Sequence, residues 1–239
     1  MKKRRQKIRT GILMVSFFLF PAFFYFFSPY LIIEGTLNGL ITGSFVLFTL
    51  QFISALVLGR GFCGWVCPAG GAQEALVTVR NKKVTKGNFI KWLIWIPWIT
   101  VIVLLAVKNG GYHQITPFYQ MKFGLSIDSV YALITYLMVL MLIVIPTLIV
   151  GRRSFCHHLC WMAPFMIIGR KIRNLFGWPS LRLEAISDQC THCHTCTDNC
   201  PMSLPVEQMV ESNKMENTEC ILCASCIDGC KSKAITYRF

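Results

Sequence analysis

Charge is scarce in this chain, and acid is scarcest. Only 15% of its 239 residues are charged, and only 11 are Asp or Glu. Soluble domains carry about a quarter charged residues. With a mean hydropathy of +0.52, the shortfall argues against a soluble globular protein. Carboxylates are missing from the interiors of the apolar runs, since Glu34 and Asp128 fall at their ends. A proton-pumping relay through the bilayer therefore lacks its usual groups. The 12 cysteines fall below the density of small disulfide scaffolds. No short apolar core with a small-residue cleavage site stands near the start, so no cleavable leader is expected. No segment reads as a DNA-binding or kinase-like unit.

What is present is long apolar sequence. A spanning helix needs about 20 mostly apolar residues. Four stretches qualify, at about 11–33, 37–58, 89–107 and 127–150, and predict an all-α four-helix transmembrane bundle. Pro21 and Pro29 are expected kinks in the first. Pro97 and Pro146 lie inside the last two, where neighbouring helices tolerate them. Trp92, Trp95 and Trp98 mark a headgroup level.

Cations give the orientation. The N-terminal segment, the stretch after the second run and the stretch after the fourth together hold 18 Lys and Arg, against Lys108 and Lys122 on the opposite side. By the positive-inside rule both termini face the cytoplasm, as expected of a four-span protein of the bacterial cytoplasmic membrane. Beside a membrane helix, anionic lipid is a simpler partner for the basic segment than nucleic acid. Residues 1–183 carry +17 and residues 184–239 carry −4. Three parts are expected: a basic cytoplasmic arm at 1–10, a membrane domain at 11–177 and a small soluble domain at 178–239.

Eight cysteines lie in that tail, in the runs CTHCHTCTDNCP (Cys190 to Pro201) and CILCASCIDGCK (Cys220 to Lys231). Both read C-x2-C-x2-C-x3-C, the bacterial ferredoxin spacing, in which the fourth cysteine ligates the other cluster. The spacing predicts an α+β ferredoxin domain with two 4Fe–4S clusters. One is assigned to Cys190, Cys193, Cys196 and Cys230, the other to Cys220, Cys223, Cys226 and Cys200. Zinc usually takes paired C-x2-C at a longer separation, and cytoplasmic thiols stay reduced. His192 and His194 read as ordinary loop residues between ligands.

The remaining cysteines form GRGFCGWVCPAG after the second run (Cys63, Cys67) and GRRSFCHHLCWMAP after the fourth (Cys156, Cys160). The offset is 93 in both positions, and Arg60 and Phe62 fall opposite Arg153 and Phe155. Each half is therefore two spans followed by Phe-Cys-x3-Cys, an internal repeat of parallel orientation. Cysteines at i and i+4 share a helix face, so two pairs can present four thiols to one cofactor. The functional reading is a third redox centre or a thiol relay at the membrane edge. The packing reading is four small, half-buried cysteines.

At these motifs the chain resembles the NapH-type membrane ferredoxins, and more broadly the family that includes the copper-reducing assembly factor CcoG and the membrane part of NosR. The resemblance rests on Cys63-x3-Cys67-Pro68, on Cys156-x3-Cys160 and on the two tail runs. It implies electron transfer between the quinone pool and a partner oxidoreductase through cytoplasmic 4Fe–4S clusters. Trp161, where the first motif has proline, is a departure. The length expected for the extra domains of CcoG and NosR is missing, which favours a NapH-like core.

Quinol oxidation releases protons, and histidine titrates near neutral pH, so His157 and His158 are the candidate catalytic residues. Arg60 and Arg153 could pair with cluster or quinone charge, but arginines at a membrane edge usually snorkel to phosphates. The acidic tail is suited to a basic partner or to the basic rim of its own membrane half. Two other classes of function stay open: a metal-ion (copper) reductase acting in cofactor assembly, since paired cysteines suit Cu(I), and a redox sensor with a separate output protein.

Overall fold

Apolar sequence dominates the first three-quarters of the chain, and most of it folds as helix. The computed structural model describes residues 4–121 and 124–239. Lys2, Lys3 and Lys122, counted in the charge asymmetry, lie outside the described residues. Helix α1 (Arg4–Phe23) contains Pro21, and a 3-10 turn at Phe24–Phe27 leads to α2 (Pro29–Leu37). Pro29 opens α2 behind the N-cap Ser28, a position where proline's missing N–H removes no helical bond.

The second apolar run is only partly helical. Its start forms β1 (Leu40–Thr42), and α3 (Gly43–Leu58) is only 16 residues long. Gly39 sits at φ +66°, and a Cβ on Gly43 would lie 2.2 Å from the Pro117 carbonyl, so the chain turns there. Two short helices follow, α4 (Gly61–Trp65) and α5 (Pro68–Ala75), then α6 (Ile90–Lys108). Strand β2 (Gln114–Thr116) pairs in parallel with β1 and ties the two halves together. Helix α7 (Val130–Ile149) leads to α8 (Ser154–His158) and α9 (Ala163–Phe176), a second short-then-longer pair.

Arg4–Leu37, Ile90–Lys108 and Val130–Ile149 are long and apolar enough to cross a membrane, whereas α3 is shorter. At 1.5 Å per residue, α3 reaches about 24 Å, against a hydrocarbon core of about 30 Å. The chain is a membrane protein with three such helices among the described residues, and α3 stands where the expected second span was read.

The tail closes on itself. Strands β3 (Arg182–Ala185) and β4 (Ile235–Arg238) pair antiparallel, with Ala185 opposite Ile235. Between them lie α10 (Thr195–Asp198), α11 (Val206–Glu211) and α12 (Ser225–Gly229). This small α+β unit docks on the basic side of the membrane part, as opposite charge allows. Arg5 pairs with Asp228 at 2.6 Å, Lys83 with Asp198 at 2.7 Å and Arg170 with Glu216 at 2.5 Å. The N-terminal basic segment is thus no free arm. From Arg4 on it is the first turns of α1, and Gln6 donates to the Cys223 carbonyl at 2.9 Å.

Candidate metal centres

The two tail runs fold alike because they repeat the same backbone. Two and four residues after the first cysteine, His192 and His194 in one run and Leu222 and Ala224 in the other, the chain enters the left-handed region, at φ between 49° and 61°. Such alternation turns successive N–H groups toward one centre, a concavity that suits anionic sulfur. It also accounts for the two histidines, whose rings turn outward to acids: His192 lies 2.8 Å from Glu211, and His194 pairs with Glu207.

One cavity is lined by Cys190, Cys193, Cys196 and Cys230, beside Val210 and Ile235. A second is lined by Cys200, Cys220, Cys223 and Cys226, among Leu183, Met202 and Leu204. In each, three thiols come from one run and the fourth from the other. The surroundings differ. Cys193 is exposed, whereas Cys200, Cys223 and Cys226 are buried. Burial pushes the Cys220 thiol up to about 12 and that of Cys200 up to about 11, while hydrogen bonding from Thr195 lowers Cys193. Four sulfur donors gathered in one cavity suit iron–sulfur chemistry.

The second cavity is the one pressed against the membrane part. Trp65 donates from Nε1 to the Leu222 carbonyl at 3.0 Å. A Cβ on Gly64 would lie 2.2 Å from the Ile221 carbonyl, so only glycine permits this approach. Glu219, next to Cys220, receives Arg60 and Lys91 on its two oxygens, each at 2.5 Å. Cys63 and Cys156 share an apolar core with Cys200, Cys223 and Cys226.

The four membrane-side cysteines are not half-buried. Cys63, Cys67, Cys156 and Cys160 are all 4% exposed or less, and all lie within electrostatic reach of one another. Cys63 Sγ is 3.4 Å from Met166 Sδ, and Gln73 donates to Cys156 Sγ at 3.2 Å. Trp161 leaves the second motif's local bonding intact. The Cys160 thiol takes a backbone N–H from Ala163, as the Cys67 thiol does from Gly70.

Arg60 and Arg153 do not snorkel. They are 1% and 0% exposed, held inward by Glu219 and by Glu74, whose Oε1 lies 2.5 Å from Arg153 Nη2. Arg9 binds the same Glu74 through two bonds of 2.7 Å. Sequence reading missed Glu74 and Glu219, although Glu74 is one of only three acids before residue 184 and Glu219 directly precedes a motif cysteine.

His157 is buried, with Nδ1 2.6 Å from Asn88 Oδ1, and burial lowers its pKa to about 3. His158 has Nδ1 2.9 Å from the Ser154 carbonyl and Nε2 3.0 Å from the Lys86 carbonyl. Neither ring offers a nitrogen that is both free and accessible.

Comparison with known proteins agrees with this architecture. The 4Fe-4S binding domain family matches twice, over residues 40–87 and 131–179, and the 4Fe-4S dicluster domain family matches residues 182–231. The chain thus holds two 4Fe–4S clusters. It is 25% identical to an uncharacterised protein of Methanocaldococcus jannaschii, over 98% of this chain and 94% of that one. It is 25% identical to the ferredoxin-type protein NapH of Haemophilus influenzae, over 76% of this chain and 63% of NapH. It is 26% identical to the regulatory protein NosR of Pseudomonas aeruginosa, over 76% of this chain but only 25% of NosR. No solved structure matches it. With paired membrane-side cysteines ahead of a two-cluster tail, the chain belongs to the family of NapH-type membrane-bound 4Fe–4S ferredoxins.

Proposed function

We propose that this iron–sulfur electron-transfer protein takes electrons from quinol in the membrane and delivers them to a partner oxidoreductase at its cytoplasmic face. When bound, the clusters supply one-electron carriers whose potential the protein sets by hydrogen bonds, charge and solvent exposure. Cys190, Cys193, Cys196 and Cys230 would hold one cluster, and Cys220, Cys223, Cys226 and Cys200 the other. The observation that carries the reading is the asymmetry of the two cavities. The second lies against the membrane part through Gly64 and Trp65, while the first has Cys193 at the surface.

A place for the quinone ring is suggested by an aromatic groove of about 350 Å³ between α3, α6 and α9. Phe48, Trp95, Trp98, Ile102 and Phe165 line it. Trp95 Nε1 is buried with no partner among the described residues, a donor suited to a quinone carbonyl. Four spans in two parallel repeats, with both termini cytoplasmic, fit the charge asymmetry and the twofold family match. The test is reduction of the anaerobically purified protein by a soluble quinol, followed by cluster absorbance. Bleaching is expected, and it should slow several-fold in Trp95→Phe. Clusters that stay oxidised with excess quinol would overturn the reading.

A further inference from the structure

We propose that Cys63, Cys67, Cys156 and Cys160 together ligate one iron–sulfur cluster, a third centre shared by the two halves of the membrane part. It goes beyond the function proposed above and does not depend on quinol being the donor. Each half contributes two cysteines, and neither pair alone completes a four-thiol set. All four are withdrawn from water, yet none forms a disulfide.

Packing accounts for only part of what surrounds these thiols. Apolar neighbours line them, but two fully buried guanidiniums adjoin them as well. The charge on Arg60 is felt with Cys63, Cys156 and Cys160, and that on Arg153 with Cys156 and Cys67. Neither arginine is satisfied by its carboxylate. Arg60 Nε and Nη2 and Arg153 Nε are buried with no partner among the described residues. An unpaired donor in a dry interior costs about 1–3 kcal/mol, more when charged, so three at one site require an acceptor. Thiolates and sulfides of a cluster carrying net negative charge supply it, and hydrogen bonds to sulfur are a known means of tuning a cluster's potential.

The backbone is shaped for the same occupant. Cys67 is the N-cap of α5 and Cys160 lies three residues before α9, and in each a backbone N–H points at the sulfur. Gly70 admits the Arg153 guanidinium, because a Cβ there would stand 2.4 Å from Nη1. Each segment matched by the 4Fe-4S binding domain family contains one cysteine pair, and the fold brings the two pairs to one place. A structural zinc would meet the ligand count. It would not explain why Cys63 and Cys156 share one apolar core with Cys200, Cys223 and Cys226 of the second tail cavity, a place where a redox centre would link membrane part and tail.

The test is metal and acid-labile sulfide analysis of the full chain purified anaerobically in detergent. About 12 irons per chain are expected, from three four-iron cubanes rather than two. Cys63→Ser with Cys156→Ser should lose about a third of the iron while the tail clusters keep their paramagnetic signals. Arg153→Lys should keep the iron but shift the midpoint of one centre only. A wild-type count of about eight irons would overturn the proposal whether or not any variant folds, as would one zinc or copper per chain that disappears with the cysteines. Quinol bleaching of the tail clusters can succeed or fail independently of these counts.

Discussion

The two cysteine runs of the tail share one backbone and differ in nearly everything around it. The first is rimmed by His192, His194, Glu207 and Glu211 and leaves Cys193 in water. The second is walled by Leu183, Met202 and Leu204 and faces the membrane part. The same local sequence rule thus builds an outward and an inward site. What separates them is docking, supplied by residues far away in sequence: Arg5, Gln6, Arg60, Trp65 and Lys91.

Replacing one ligand on each side should give the largest contrast. Cys223→Ser is expected to remove about four of the irons and to abolish quinol reduction of the outer tail cluster. Cys193→Ser should remove a similar amount of iron yet leave the inner cluster reducible. Iron analysis with quinol bleaching reads both, and equal loss of bleaching would erase the distinction.

Next in size is Glu219→Gln, which leaves Arg60 and Lys91 buried without their shared carboxylate. Breaking a buried pair by removing one partner costs about 3–5 kcal/mol, so the tail should loosen from the membrane part. Limited proteolysis near Trp178 should accelerate by more than tenfold, whereas Glu184→Gln, which faces Arg238 at the exposed sheet, should leave it unchanged.

Acid should weaken the contacts that hold the inner site. Burial pushes Glu74 and Glu216 upward, but Arg153 and Arg9 outweigh it for the first, and Arg170 and Asn174 for the second. Both carboxyls end below the usual 4.5. A depressed pKa contributes stability above the unfolded value and loses it as pH falls through the folded one. Thermal stability should therefore be flat near neutrality and decline below about pH 4.5. Glu74→Gln should flatten part of that decline.

The smallest effect belongs to the rim. His192→Ala removes an exposed pair with Glu211, and such pairs contribute about 0–1 kcal/mol. The outer cluster's potential should move only slightly and the melting temperature hardly at all.

The tail was the most legible part of the molecule, because cysteine spacing is a local code and left-handed turns between the thiols follow it. The grouping of Cys200 with the second run and Cys230 with the first is carried by that spacing too. Less legible were features that depend on distant partners. Arg60 and Arg153 look like interfacial arginines in sequence, and only folding brings Glu219 and Glu74 to draw them inward. The 37–58 run reads as one span, yet Gly39 and the crowded approach at Gly43 convert its start into a strand that pairs with Gln114–Thr116. The basic N-terminal segment looks solvated until Asp228 and Glu74 are seen across from it.

Gly64 has a consequence for speed. Its bare α-carbon lets the loop before Cys223 rest directly on the membrane-side motif. Tunnelling weakens steeply with every ångström of separation, and a missing methyl group keeps this separation short. A single alanine there would act as a spacer, because its Cβ would meet the Ile221 carbonyl and push the second tail run off the membrane-side motif.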